Sequence, residues 1–119
     1  MKRAITPNNA SLGWLGQAIS GILLIVLLSL HMIANHFIVA GGLQTYQDVI
    51  NYLSNPWIVV LEIFFLIFVT AHALLGVRAI VFDTGLSERA EQSINRFLTI
   101  LGILMVGYGF LLTYLLVNR

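Results

Sequence analysis

The chain has 119 residues, 59% of them hydrophobic and 9% charged, with a net charge of +1 and no cysteine. A soluble domain carries about 25% charged residues, so this composition excludes one and places the chain in a membrane. The small net charge, with its charges at segment ends, excludes a nucleic-acid binder, and the lack of cysteine excludes an iron–sulfur cluster, a disulfide or a thioether link through C-x-x-C-H.

In chain order, Met1-Lys2-Arg3 is separated from the first apolar run by polar residues through Asn9. That run exceeds signal-peptide length, so it reads as a retained span. Three segments match the roughly 20 residues needed to cross a hydrocarbon core about 30 Å thick: Trp14–Ala40, Trp57–Phe82 and Phe97–Val117. The first begins near Ser11 or Trp14 and stops at Gly41-Gly42. The stretch "LQTYQDVINYLSNP" predicts a short interfacial helix over about 43–54, ended by Pro56. Pro56-Trp57 opens the second span, which runs to Asp83-Thr84-Gly85. In "LSERAEQ", Ser87 is the N-cap and Glu88 lies in the first turn of the third helix. The expectation is an all-α integral membrane three-helix bundle, with residues 1–119 as one transmembrane domain. Lys2, Arg3, Arg78, Arg89 and Arg96 flank the N-terminus and the second connection, and the connection from Gly41 to Asn55 has no basic residue. This asymmetry predicts a cytoplasmic N-terminus.

Ionisable residues at membrane depth are costly and need an account. Here they are His31, His36, Glu62, His72 and Arg78. By helix rise, His72 lies about 15 Å from Asp83 and His31 about 25 Å outward from Trp14, which separates the two histidines by about 10 Å in depth. They are not expected to ligate one haem together. At about 100° per residue, Ser20 and Gln17 fall within roughly 40° of His31, and Gly76 and Asp83 near the face of His72. A glycine one turn from a histidine leaves room for a flat macrocycle, imidazole is a common iron ligand, and a b-type haem needs no cysteine. The other reading is that His72 bonds a neighbouring helix and Gly76 permits close packing. His36 sits at the outer interface or lines a quinone pocket. Glu62 either snorkels outward or accepts protons beside that pocket, and Arg78 either reaches headgroups or pairs with a haem propionate. Gly102, Gly107 and Gly109 of the third span read as packing sites.

Together, "LLSLHMIANHF", the amphipathic connection and "LEIFFLIFVTAHALLGVR" with the following aspartate resemble the membrane-anchor cytochrome b subunits of succinate dehydrogenase and fumarate reductase, of the two-subunit di-haem type. The resemblance covers residues 11–83 well and the third span only generally. It implies His31 as axial ligand of an outer, distal haem and His72 as that of a proximal one near an iron–sulfur subunit. It further implies half of a heterodimeric anchor: a companion membrane subunit supplies the opposite ligands, for two b haems in all, beneath an iron–sulfur subunit and a flavoprotein. The chain itself would be a non-catalytic electron carrier to membrane quinone, multi-pass in the cell inner membrane. Family members with one haem often carry an arginine beside the "SG" of the first helix, which Gln17-Ala18-Ile19-Ser20-Gly21 lacks. Gln17, Ser20 and Asp83 then remain as inner quinone contacts, with His36 and Glu62 as outer ones, and the outer site is favoured. A haem-free structural anchor or small transporter subunit is the alternative, although small multidrug transporters typically show four helices and a central glutamate.

Overall fold

An apolar chain in lipid must satisfy its backbone hydrogen bonds within each segment, which leaves the helix as the element for a single span. The computed structural model describes residues 7–119, with side chains from residue 12 onward. Lys2 and Arg3, which carry part of the orientation argument, lie outside the described residues. Four helices and no strand occur among those described: α1 (Pro7–Ile33), extended by a π-helical turn (Ala34–Ile38), α2 (Tyr46–Leu53), α3 (Pro56–Phe82) and α4 (Glu88–Val117). Three of them are long and apolar enough to cross a membrane, at Leu12–Ile38, Pro56–Phe82 and Glu88–Val117. The all-α, three-span architecture expected from the sequence is therefore present.

The helix ends differ from that expectation. α1 starts at Pro7 and its regular part ends at Ile33 rather than Ala40, whereas α4 starts at Glu88 behind Ser87, as the reading of "LSERAEQ" expects, nine residues before the apolar span that begins at Phe97. Apolar runs mark the depth of lipid contact, whereas helical hydrogen bonding continues into polar flanks. Ser87 caps α4 by accepting from the Ala90 N–H at 3.2 Å, and so recruits the polar residues 88–96 into the helix. After the π-helical turn, Gly41 and Gly42 turn the chain at φ +80° and +79°, a region that disfavours side chains. α2 is shorter than the expected 43–54 because a reciprocal cap sets its start. Thr45 accepts from the Asp48 N–H at 3.1 Å, and Asp48 accepts from the Thr45 N–H at 2.8 Å.

α3 is the central helix, with α1 on one side and α4 on the other, and α2 lies against α3 and α4. Both neighbours run antiparallel to it: His31 meets Glu62 while Ser20 meets His72, and Arg78 meets Asn95 while Leu66 lies against Gly109. A Cβ at Gly102 or Gly109 would collide with Leu74 or Leu66, so these glycines set how closely α3 and α4 approach. A small core of Ala34, Tyr52, Leu53 and Ile58 closes one end, where α2 packs across the bundle. Elsewhere most large apolar side chains are exposed, with Trp14 and Trp57 at span ends, as expected of a surface completed by lipid or by other subunits.

Candidate functional site

The polar side chains at membrane depth converge on the α1/α3 contact, at two levels. At the inner level Ser20, on α1, is buried, and its Oγ lies 2.9 Å from His72 Nδ1 and 3.0 Å from the Gln17 carbonyl oxygen. A serine hydroxyl has one hydrogen. Since it donates to the Gln17 carbonyl, Ser20 accepts from His72 Nδ1–H, and the His72 lone pair is on Nε2. Gly21 lies against the ring: a Cβ there would sit 3.4 Å from His72 Cε1, in ordinary contact. One turn along α3, a Cβ on Gly76 would lie 3.3 Å from Gln17 Nε2. Gln17 Oε1 is the buried side-chain polar atom that has no hydrogen-bond partner among the described residues.

At the outer level His31 is held on both ring nitrogens. Asn35 Nδ2, four residues on, donates to the His31 carbonyl at 2.8 Å and to His31 Nε2 at 3.0 Å. Nε2 is therefore the acceptor and Nδ1 carries the proton, which it donates to the Glu62 carboxylate at 2.8–2.9 Å. Glu62 also accepts from the Tyr52 hydroxyl. Burial first, then this bond and the adjacent negative charge, push the Tyr52 phenol above its ordinary value. Phe65 stacks on the His31 ring with centroids 4.5 Å apart. Four elements thus meet here: α1, the π-helical turn, α2 and α3. Asn35 stands on the π-helical turn, four residues after His31.

The pairing of Ser20 with His72 and of His31 with Glu62 sets the two histidines ten residues apart along α3, about 15 Å by helix rise. This exceeds the 10 Å expected from the sequence, which was measured from apolar boundaries that do not coincide with the helix ends. Other residues singled out lie elsewhere. Glu62 does not snorkel: its side chain is 19% exposed and bound by two donors. Ser20 and Gln17 share a face with His31 on α1 but serve His72. Arg78 is turned toward α4, where Nε donates to Asn95 Oδ1 at 2.6 Å and the guanidinium lies over Phe82. Asp83 is exposed at the end of α3, and His36 is exposed on the π-helical turn. Asn35, Tyr52 and Phe65 were not anticipated. The i, i+4 spacing of His31 and Asn35 was available in the sequence. Tyr52 had no such signal, because its place depends on how α2 folds back.

The two imidazoles suit axial ligation of haem iron. In each, Nδ1–H is fixed by an oxygen on another helix and the Nε2 lone pair is on the opposite side of the ring, the arrangement by which outer partners orient a metal-binding histidine. At His31 the Asn35 amide would have to release Nε2 first. No group of three or more His, Cys, Asp or Glu side chains comes together among the described residues. One imidazole per level is what the described residues offer.

The family described as succinate dehydrogenase/fumarate reductase transmembrane subunit matches residues 2–116. The chain is similar to the succinate dehydrogenase hydrophobic membrane anchor subunit of Thermoplasma acidophilum, 31% identical over 105 residues, which cover 88% of this chain and 85% of the relative. It is also similar to the subunit of the same name from Archaeoglobus fulgidus, 31% identical over 103 residues, 87% of each chain.

Proposed function

Because the chain belongs to the succinate dehydrogenase/fumarate reductase transmembrane subunit family and is a membrane anchor of that complex, we propose that it also holds b-type haem at two depths and carries electrons between an iron–sulfur subunit and membrane quinone. The observation that carries this reading is the anchoring of both imidazoles through Nδ1–H to an oxygen on another helix, which leaves Nε2 as the ligating atom; His72 Nε2 faces no hydrogen-bond donor among the described residues, and His31 Nε2 would exchange its bond to Asn35 for iron. When bound, haem b supplies a one-electron carrier at each level. The rest belongs to this chain. Ser20 orients His72, and Glu62 with Tyr52 orients His31. A companion anchor subunit would supply the remaining iron ligands, and the iron–sulfur and flavoprotein subunits would dock on the side toward which the excess of basic residues points, the cytoplasmic one on this reading.

Quinone chemistry is assigned to the inner end. Glu62 already accepts from two donors, whereas Gln17 Oε1 is a buried acceptor with no partner and can receive a quinol hydroxyl. On this proposal the inner end is preferred to His36 and Glu62, the outer residues favoured on sequence grounds.

The test is the haem-to-complex ratio and the redox titration of the purified assembly. Two low-spin components are expected, with the inner one lost in His72→Ala and the outer one in His31→Ala. Absence of haem from the assembled wild-type complex, or two unaltered components in both variants, would make the histidines hydrogen-bonded helix joints and the chain a haem-free anchor. That second reading draws on the same contacts, since both rings already bridge neighbouring helices.

A further inference from the structure

An open apolar groove of about 660 Å³ runs between α3 and α4. Its α3 wall includes Ala71 and Leu74, which lie at least about 100° around the helix from His72. The groove is therefore separate from the histidine site. Arg78 and Asn95 stand at one end, while Ile67, Gly107 and Phe110 line the other. From Asn95 to Phe110 the groove follows α4 for about 22 Å by helix rise. One leaflet of a 30 Å hydrocarbon core is about 15 Å deep. The groove is thus long enough for an extended acyl chain reaching from headgroup level to beyond the midplane.

Its polar end determines what fits. Arg78 lies just over one turn before the end of α3, at the side of the bundle that also carries Arg89 and Arg96. Its Nε is engaged by Asn95 and one guanidinium face rests on Phe82. The Nη groups remain to donate elsewhere, and among the described residues no carboxylate pairs with Arg78. Asn95 and Phe82 together hold the guanidinium in place beside the groove. A fixed cation at headgroup level above an apolar channel complements an amphiphile with an anionic head and a long tail. A guanidinium also suits phosphate oxygens through paired N–H donors.

We propose that this groove is a binding site for one anionic phospholipid, with a phosphate oxygen on Arg78 and an acyl chain along α4 past Gly107. The proposal does not depend on haem. Its test is native mass spectrometry of the purified complex in detergent with equal amounts of phosphatidylglycerol and phosphatidylcholine. The wild type is expected to retain one phosphatidylglycerol with about a tenfold preference. Arg78→Gln should bring the two lipids to parity in an intact complex, and Arg96→Gln, which removes a charge outside the groove wall, should leave the preference in place. Gly107→Leu should exclude both lipids, since a Cβ there meets nothing within 4 Å and a larger side chain fills the groove instead of breaking the fold. Equal retention of both lipids by the wild type would overturn the proposal, as would a preference that survives Arg78→Gln. Loss of another subunit from the Gly107→Leu complex would also overturn it, making the groove a helix–helix interface, and so would loss of bound quinone from that variant.

Discussion

The two faces of α3 solve the same problem with different chemistry. Toward α1 the helix is joined through side-chain hydrogen bonds, Ser20 to His72 and His31 to Glu62, with Gln17 pressed against Gly76. Toward α4 it is joined through leucines seated on glycines, Leu66 on Gly109 and Leu74 on Gly102, and, among the described residues, by the hydrogen bond of Arg78 to Asn95. Lipid tails are as apolar as leucine, so neither face gains from hydrophobic exclusion in the membrane; close packing and polar joints must supply the association. Small residues give packing with no chemistry attached. Histidine and glutamate are costly at that depth, and a chain that uses them on one face alone concentrates its titratable groups where another molecule can be served.

Glu62→Leu should break the polar face most severely. It removes the acceptor of both Tyr52 and His31 and leaves two donors in a largely buried position, at a cost of about 3 kcal/mol. Glu62→Gln keeps an acceptor and should cost about 1 kcal/mol. Unfolding in detergent, followed by the fluorescence of Trp14 and Trp57, measures both. Equal stability of the leucine variant and the wild type would mean that shape alone holds α1 on α3. The matching change on the packing face is Gly109→Val, which forces its side chain into Leu66 and should cost about 2 kcal/mol. The faces should also differ in what is lost. Gly109→Val should lower stability with haem per assembled complex unchanged, whereas Glu62→Leu should lower that ratio at the outer level. A fall in haem with Gly109→Val would erase the distinction between the faces.

Much of this division was legible in the sequence and part of it was not. His31, Glu62 and His72 stand out because ionisable groups are expensive in lipid, and of the three glycines read as packing sites on α4, Gly102 and Gly109 meet leucines while Gly107 faces open space. Partnership was hidden. Helical periodicity gives the face of a residue on its own helix but not the register of the helix opposite, so Ser20 could be grouped with His31 and yet bond His72. Tyr52 was less accessible still, because its contact with Glu62 depends on the turn at Gly41-Gly42 and on the cap at Thr45. The start of α4 was legible from the Ser87 cap, whereas the ends of α1 and the start of α2 were misjudged, because helical hydrogen bonding and capping, not the apolar run, set them.

The smallest expected effect tests that long-range dependence on α2. Asp48 accepts from the N–H groups of Thr45 and Gln44, and the Thr45 side chain with these backbone bonds holds its carboxyl below the ordinary value of 3.8. A carboxylate with a lowered folded value stabilises the fold above its unfolded value, and the contribution is lost as pH falls through the folded one. Acidification below 3.8 should therefore loosen the start of α2. Because α2 delivers Tyr52 to Glu62, the loosening should reach the α1/α3 joint at His31 and leave the α3/α4 joint at Gly102 and Gly109 alone. Hydrogen exchange, corrected for the intrinsic effect of pH, should show protection falling first in residues 46–53 as pH drops from about 5 to about 3, a range that brackets the ordinary carboxylate value by on the order of a unit to either side. Asp48→Asn should exchange faster at pH about 5 and respond less to acid. If the wild type loses protection in α4 before α2, or if Asp48→Asn keeps the full acid response, the cap does not govern the outer joint, and Tyr52 is held there by the packing of Leu53 and Ile58 alone.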